Sequence, residues 1–190
     1  MFERERLLQQ PPRSIALSTR LGRPIPNYVA PEPPQNRKGQ YNLLRESVGI
    51  RWEHRKPPCG FYNCMGHVFA TRRTAIEDKD ESEWEKIRAD DGYRELLAGE
   101  DPRLGDIVVY SDPGGKGILH FGEVIRIDRI DASGSRGNPI IRVLSKWDDS
   151  YGEDIHLLDD VGHLKAQAPN LKVAIWTDRP PPQLALDFDS

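Results

Sequence analysis

Residues 105–127, GDIVVYSDPGGKGILHFGEVIRI, decide the fold. Two runs rich in Val and Ile flank the cluster SDPGGKG, and such turn chemistry between β-formers predicts two antiparallel strands joined by a hairpin. Gly114, Gly115 and Gly117 therefore read as turn residues. A phosphate cradle would need the full P-loop pattern and a following helix, and neither is present. Side chains alternate along a strand, so His120, Gly122 and Val124 share one face of the second run, while Leu119, Phe121, Ile125 and Ile127 occupy the other. Downstream, IIRVLSKW (140–147) and LKVAIW (171–176) repeat the composition, with DASGSRGN (131–138) as the intervening turn. If Ile127 pairs with Ile140, His120 lies opposite Trp147 and Ser145 shares its face.

Upstream of residue 105 the period changes. YNLLRESVGIRWEH (41–54) suits a short helix running into a strand or turn and ended by Pro57 and Pro58. Asn63 is a good N-cap, so a helix should start at Cys64 and run to Ile76, with Val68, Phe69 and Ala70 near one face. The acidic stretch 77–96 reads as a solvated helix anchored by Trp84 and Ile87 and closed by Gly92. Helices first and strands second, without βαβ alternation, predict an α+β fold in which a helix packs on a small antiparallel sheet. Residues 1–40, with Pro11, Pro12, Pro24, Pro26, Pro31, Pro33 and Pro34, read as a proline-rich extended arm. Residues 178–190 read as a proline and acid tail, which leaves 41–177 as the domain.

The chain has 190 residues, 37% of them hydrophobic and 30% charged, enough for one domain with a real core at about 150 residues per domain. No stretch approaches the roughly 18 consecutive apolar residues of a membrane span. The first twenty residues lack an apolar stretch of about 7 to 15 residues, so no secretory signal is expected and a cytoplasmic location is. The formal net charge of −3 comes from 27 bases and 30 acids spread along the whole chain, which argues against nucleic acid as a partner. Two cysteines are too few for a disulfide framework, and in a reducing compartment both are free thiols.

A thiol in the first turn of a helix feels the positive end of the helix dipole and unpaired N–H groups, which favour the thiolate and can hold an oxyanion. Cys64 has that position and lacks only a base. His120 offers one, because the glycine on its face leaves space into which a helix N-terminus could fit. A third group, orienting the imidazole, should come from SKWDDSYGEDIH (145–156), with Ser145 or His156 the candidates.

The combination NCMGH (63–67), DPRLGDIVVYSDPGGKGILHFGEV (101–124) and VLSKWDDSYGEDIH (143–156) resembles the NlpC-type and CHAP-type branches of the papain-like cysteine peptidase and amidase superfamily. The resemblance covers about residues 41–177. It implies Cys64 as nucleophile, His120 as base and a third residue between Ser145 and His156. The activity it implies is cleavage of an amide or peptide bond, with a peptide or amide substrate and no cofactor. Relatives of this kind include enzymes that cleave peptidoglycan stem peptides.

Blander assignments compete at each position. A free cysteine is often a buried packing residue. Cys59, in a Pro-Pro-Cys-Gly turn, has nothing nearby in sequence to lower its pKa, and His67 sits one helical turn beyond Cys64, where packing explains it. His54 and His163 read as exposed. Tyr62 reads as a staple at the helix start, and Trp52, Trp84, Trp147 and Trp176 as core or rim. Two alternatives to a hydrolase are an inactive binding module of the same fold and a zinc-binding domain built from Cys59, Cys64, His67 and His120, whose spacing lacks the paired ligands usual at structural zinc.

Overall fold

The computed structural model describes residues 13–29, 31–115, 117–129 and 139–182. In chain order these form β1 (Asn27–Tyr28), α1 (Gln35–Val48), β2 (Glu53–Lys56), α2 (Cys64–Phe69), β3 (Ala75–Ile76), α3 (Ser82–Asp91) and β4 (Arg94–Glu95). Then follow β5 (Ile107–Asp112), β6 (Gly117–Arg129), β7 (Pro139–Lys146), β8 (Glu153–Leu157), α4 (Gly162–Gln167) and β9 (Lys172–Thr177). The DASGSRGN turn, the first twelve residues of the arm and the last eight of the tail lie outside the described residues.

The four runs rich in Val and Ile are β5, β6, β7 and β9, and they lie side by side at the centre of a seven-stranded antiparallel sheet ordered β2-β8-β7-β6-β5-β9-β4. This corrects the expected fold class. A helix on a small sheet was expected, whereas a large sheet dominates and only four α-helices accompany it among the described residues. The difference comes from β2, β4 and β8. Their sequences, EHRK, RE and EDIHL, carry almost no apolar alternation. They extend the sheet because β7 and β9 offer unpaired backbone edges to β8 and β4, and β8 in turn offers one to β2, not because their own propensity favours strand.

Each face of the sheet carries its own apolar layer. One layer gathers Met65, Ile76, Trp84, Ile87, Ile107, Val109 and Phe121, so α2 and α3 pack on that face. The other gathers Val108, Tyr110, Val124, Val143, Val161 and Leu164 beneath α4. The helix begun by Cys64 is shorter than the sequence predicts. It ends at Phe69, because Thr71 (φ 49°) and Arg72 (φ 65°) turn left-handed, and the chain returns as β3. The helix over 82–91 has the expected anchors, Trp84 and Ile87, both buried, and ends on Gly92 at φ 77°. Within the stretch read as an arm, β1 pairs with β3, and α1 takes in residues 35–40. No helix among the described residues is long and apolar enough to cross a membrane.

Candidate active site

The Asn63 side chain caps α2 by accepting the Gly66 N–H at 2.9 Å, while its amide nitrogen donates to Ile76 O at 2.8 Å. One residue thus sets the helix start and ties it to β3. Gly66 fits because β3 crosses close by: a Cβ there would lie 1.9 Å from Thr74 O. These contacts place Cys64, half-buried, at the edge of the layer around Phe121. Burial raises its thiol pKa, opposed by the backbone N–H groups of Phe121, Met65 and Cys64 itself and by the Lys146 ammonium.

His120 pairs with Tyr110 and lies on the other face of the sheet, its ring stacked on Trp147 at 4.7 Å and 21°. Burial, reinforced by His156, His163 and His67, lowers its pKa well below the ordinary 6.5. Gly122 does not make room for the helix: its open side is filled by Val143 and Ser145. The expected register does hold locally, with Gly122 opposite Ser145. A bulge between Val124 and Arg126 then moves Ile127 opposite Ile141 rather than Ile140.

Cys64 and His120 nevertheless both line one cavity of about 570 Å³, His120 with only 1% of its surface exposed. Residues 118–121 line it, and they lie where β6 runs past the end of its ladder with β7 at Gly122 and Ser145. There β6 keeps its ladder with β5 and has a free edge on the β7 side. Asn63, Tyr28 and Glu81 are also part of the wall. Glu81 is itself a latch. It stands at φ 64°, and its carboxylate accepts the Ile118 N–H at 2.7 Å beside Gly117 (φ 70°), which fixes the hairpin that leads to His120. No hydrogen bond joins Cys64 to His120.

The two candidate third residues satisfy each other instead. His156 Nδ1 lies 2.8 Å from Leu157 O, which can only accept, so Nδ1 carries the proton. His156 Nε2 therefore accepts from the Ser145 hydroxyl at 2.9 Å. Both residues are buried on the His120 face, and neither reaches His120, whose Nε2 is buried without a partner.

The remaining candidates have structural surroundings. His67 is buried between Glu153, at 3.4 Å, and Glu123, at 3.7 Å. Tyr62 and Arg72 donate to the same Glu153 oxygen at 2.6 and 2.7 Å, and against the rise that burial imposes, His67 first and then these two hold the Glu153 pKa at about 2. The Cys59 carbonyl accepts from the buried Lys146 ammonium at 3.0 Å, one of three carbonyls that saturate it. His54 is exposed beside Asp154. His163 is not exposed: it lies in α4, half-buried, with its ring edge-on to Trp147 at 4.5 Å. Trp52 stacks on Trp147 at 4.6 Å, completing an aromatic and histidine cluster that no sequence motif announces. Among the described residues no group of three or more His, Cys, Asp or Glu side chains is arranged to hold a metal ion.

Compared with known proteins, the chain matches no family model, no curated protein and no solved structure.

Proposed function

We propose that the protein is a cysteine hydrolase that cleaves an amide or peptide bond, with Cys64 as nucleophile and His120 as base. The observation that carries this is the opening of a helix-start cysteine and a buried, neutral histidine on one cavity. His120 Nε2 is closed off from solvent, and Nδ1 is the nitrogen left to work there. In the reaction Nδ1 takes the thiol proton as Sγ bonds to the carbonyl carbon. The oxyanion forms among the N–H groups that face the sulfur. The imidazolium then returns its proton to the leaving amine as the C–N bond breaks, and water hydrolyses the thioester by the same base. With the thiol pKa raised and the imidazole pKa lowered, both groups rest neutral near pH 7. Proton transfer accompanies attack; no thiolate–imidazolium pair waits in advance.

p-Nitrophenyl acetate tests this. A burst of nitrophenolate with an acetyl group on Cys64, lost in Cys64→Ala and slowed at least tenfold in His120→Ala, is expected. Equal acylation of wild type and His120→Ala would sink it.

The raised thiol pKa and the missing Cys64–His120 hydrogen bond favour a second reading, a binding module whose cavity holds a peptide. Under it, p-nitrophenyl acetate gives no burst, and Cys64→Ala leaves peptide binding intact.

A further inference from the structure

Three nitrogens in the cluster around Trp147 are buried and have no hydrogen-bond partner: His120 Nε2, Trp147 Nε1 and His163 Nδ1. Two of the rings, those of His120 and His163, each contact the third, Trp147. His120 stacks on Trp147 at 4.7 Å, and His163 meets the same indole edge-on at 4.5 Å. One unpaired buried polar atom is uncommon, and three in touching rings call for a shared partner. No neighbouring side chain comes within hydrogen-bond reach of them. Ser145 donates to His156 Nε2, His156 Nδ1 donates to Leu157 O, and the Tyr110 hydroxyl donates to Leu158 O at 3.1 Å, so the nearest polar groups are directed elsewhere.

The three atoms are complementary to a single water. An indole N–H only donates. If His120 Nδ1 is the base, Nε2 carries the ring proton and donates too. A neutral His163 can leave Nδ1 as an acceptor, and burial favours its neutral form. A water that accepts two hydrogen bonds and donates one makes about three bonds, the usual number for a buried water.

We propose that a buried water joins His120 Nε2, Trp147 Nε1 and His163 Nδ1, so that Trp147 and His163 are positioning residues holding His120 in the tautomer with Nδ1 free. This rests on the hydrolase reading above. It supplies the orienting group that Ser145 and His156 do not. The water does for the imidazole what a carboxylate or amide would do, and stacking on Trp147 fixes the plane of the ring. Between Nε2–H and Nδ1–H tautomers, a hydrogen-bond acceptor at Nε2 favours the former and leaves the lone pair of Nδ1 toward the cavity.

The test uses the full chain. A crystal structure resolving ordered water is expected to show one within hydrogen-bond distance of both His120 Nε2 and Trp147 Nε1. Nitrogen NMR is expected to report His120 protonated at Nε2. Trp147→Phe keeps the stack and removes the N–H, and His163→Phe keeps the edge contact and removes the acceptor. Each is expected to slow Cys64 acetylation by p-nitrophenyl acetate about 10- to 100-fold, the scale of a misplaced catalytic group. Each should also shift the acid limb of its pH profile, to which His156 from β8, His163 from α4 and His67 from α2 contribute charge, with the Tyr110 ring from β5 packed against His120. A dry cluster, or His120 protonated at Nδ1 in the wild type, overturns the proposal even if the variants fail to fold. Folded variants with wild-type rates and profiles overturn it as well. Insensitivity to His120→Ala overturns the hydrolase reading itself, so the two failures are distinguishable.

Discussion

Cys64 is acted on by two opposing effects. Loss of solvent raises its pKa above the ordinary value near 9, while backbone N–H groups and the Lys146 charge draw it down. At His120 every contribution acts in one direction, below 6.5. For a reaction in which neutral imidazole takes the thiol proton, the rate falls on the acid side below pH 6.5, and above about 9 direct attack by thiolate adds to it. Acylation by p-nitrophenyl acetate should therefore form a plateau between those values. In His120→Ala the plateau should vanish and leave a rise with thiolate alone. A wild-type profile that climbs tenfold per pH unit through this range, as a free thiol does, would contradict the pairing. The cysteine and the histidine were both legible as candidates, because a capped helix start and a strand bearing His-x-Gly are local signals. Trp147 and His163 were not. An indole two residues beyond Ser145 and a histidine in a six-residue helix acquire meaning only when β7 and α4 converge on one cluster.

Among the elements, α2 has only six residues and would not be stable alone, so its position depends on what it touches. Asn63 ties its start to Ile76, and Gly66 lets the Thr74 backbone pass against it. Gly66→Ala would put a methyl group 1.9 Å from Thr74 O, which is backbone and cannot rotate away. The expected cost is about 1–3 kcal/mol or more, read as a lower urea midpoint, with Cys64 acylation impaired as the helix shifts. An unchanged midpoint would mean that α2 and β3 can separate freely. The same dependence explains why the sequence predicts too long a helix here. Residues 71–74 have no proline to stop a helix, and the left-handed turn at Thr71 and Arg72 is imposed where β3 joins β1. By contrast, α3 carries its own stop in Gly92 and its own anchors in Trp84 and Ile87, and these were readable, although the helix begins at Ser82 rather than at the start of the acidic stretch 77–96.

Across the whole molecule, the sheet buries titratable groups on both faces, and its stability should follow pH accordingly. His156 has its pKa lowered from 6.5 to about 4, so between these values the unfolded chain binds more protons than the folded one. Stability is then complete above pH 6.5 and is lost as pH falls toward 4, by about 3 kcal/mol at most from this residue. His163, also lowered to about 4 but half-buried, acts in the same direction with less weight. Glu153, lowered from 4.5 to about 2, extends the loss below pH 4.5. Urea midpoints at pH 7.5, 5.5 and 4.5 should fall in that order, and equal midpoints at the first two would show that the histidines are not buried neutral. What the residues alone determined was the set of strong elements: β5, β6, β7 and β9 from their Val and Ile content, α3 from its apolar anchors and its Gly92 stop, and the start of α2 from its Asn63 cap. What only the tertiary structure decided was the width of the sheet, its weak outer strands and the relation of Cys64 to His120. Strand periodicity states which side chains share a face, but not which face a helix will cover or where a ladder ends. Part of the cavity wall, residues 118–121, lies where β6 outruns β7, and that is a property of two strands together.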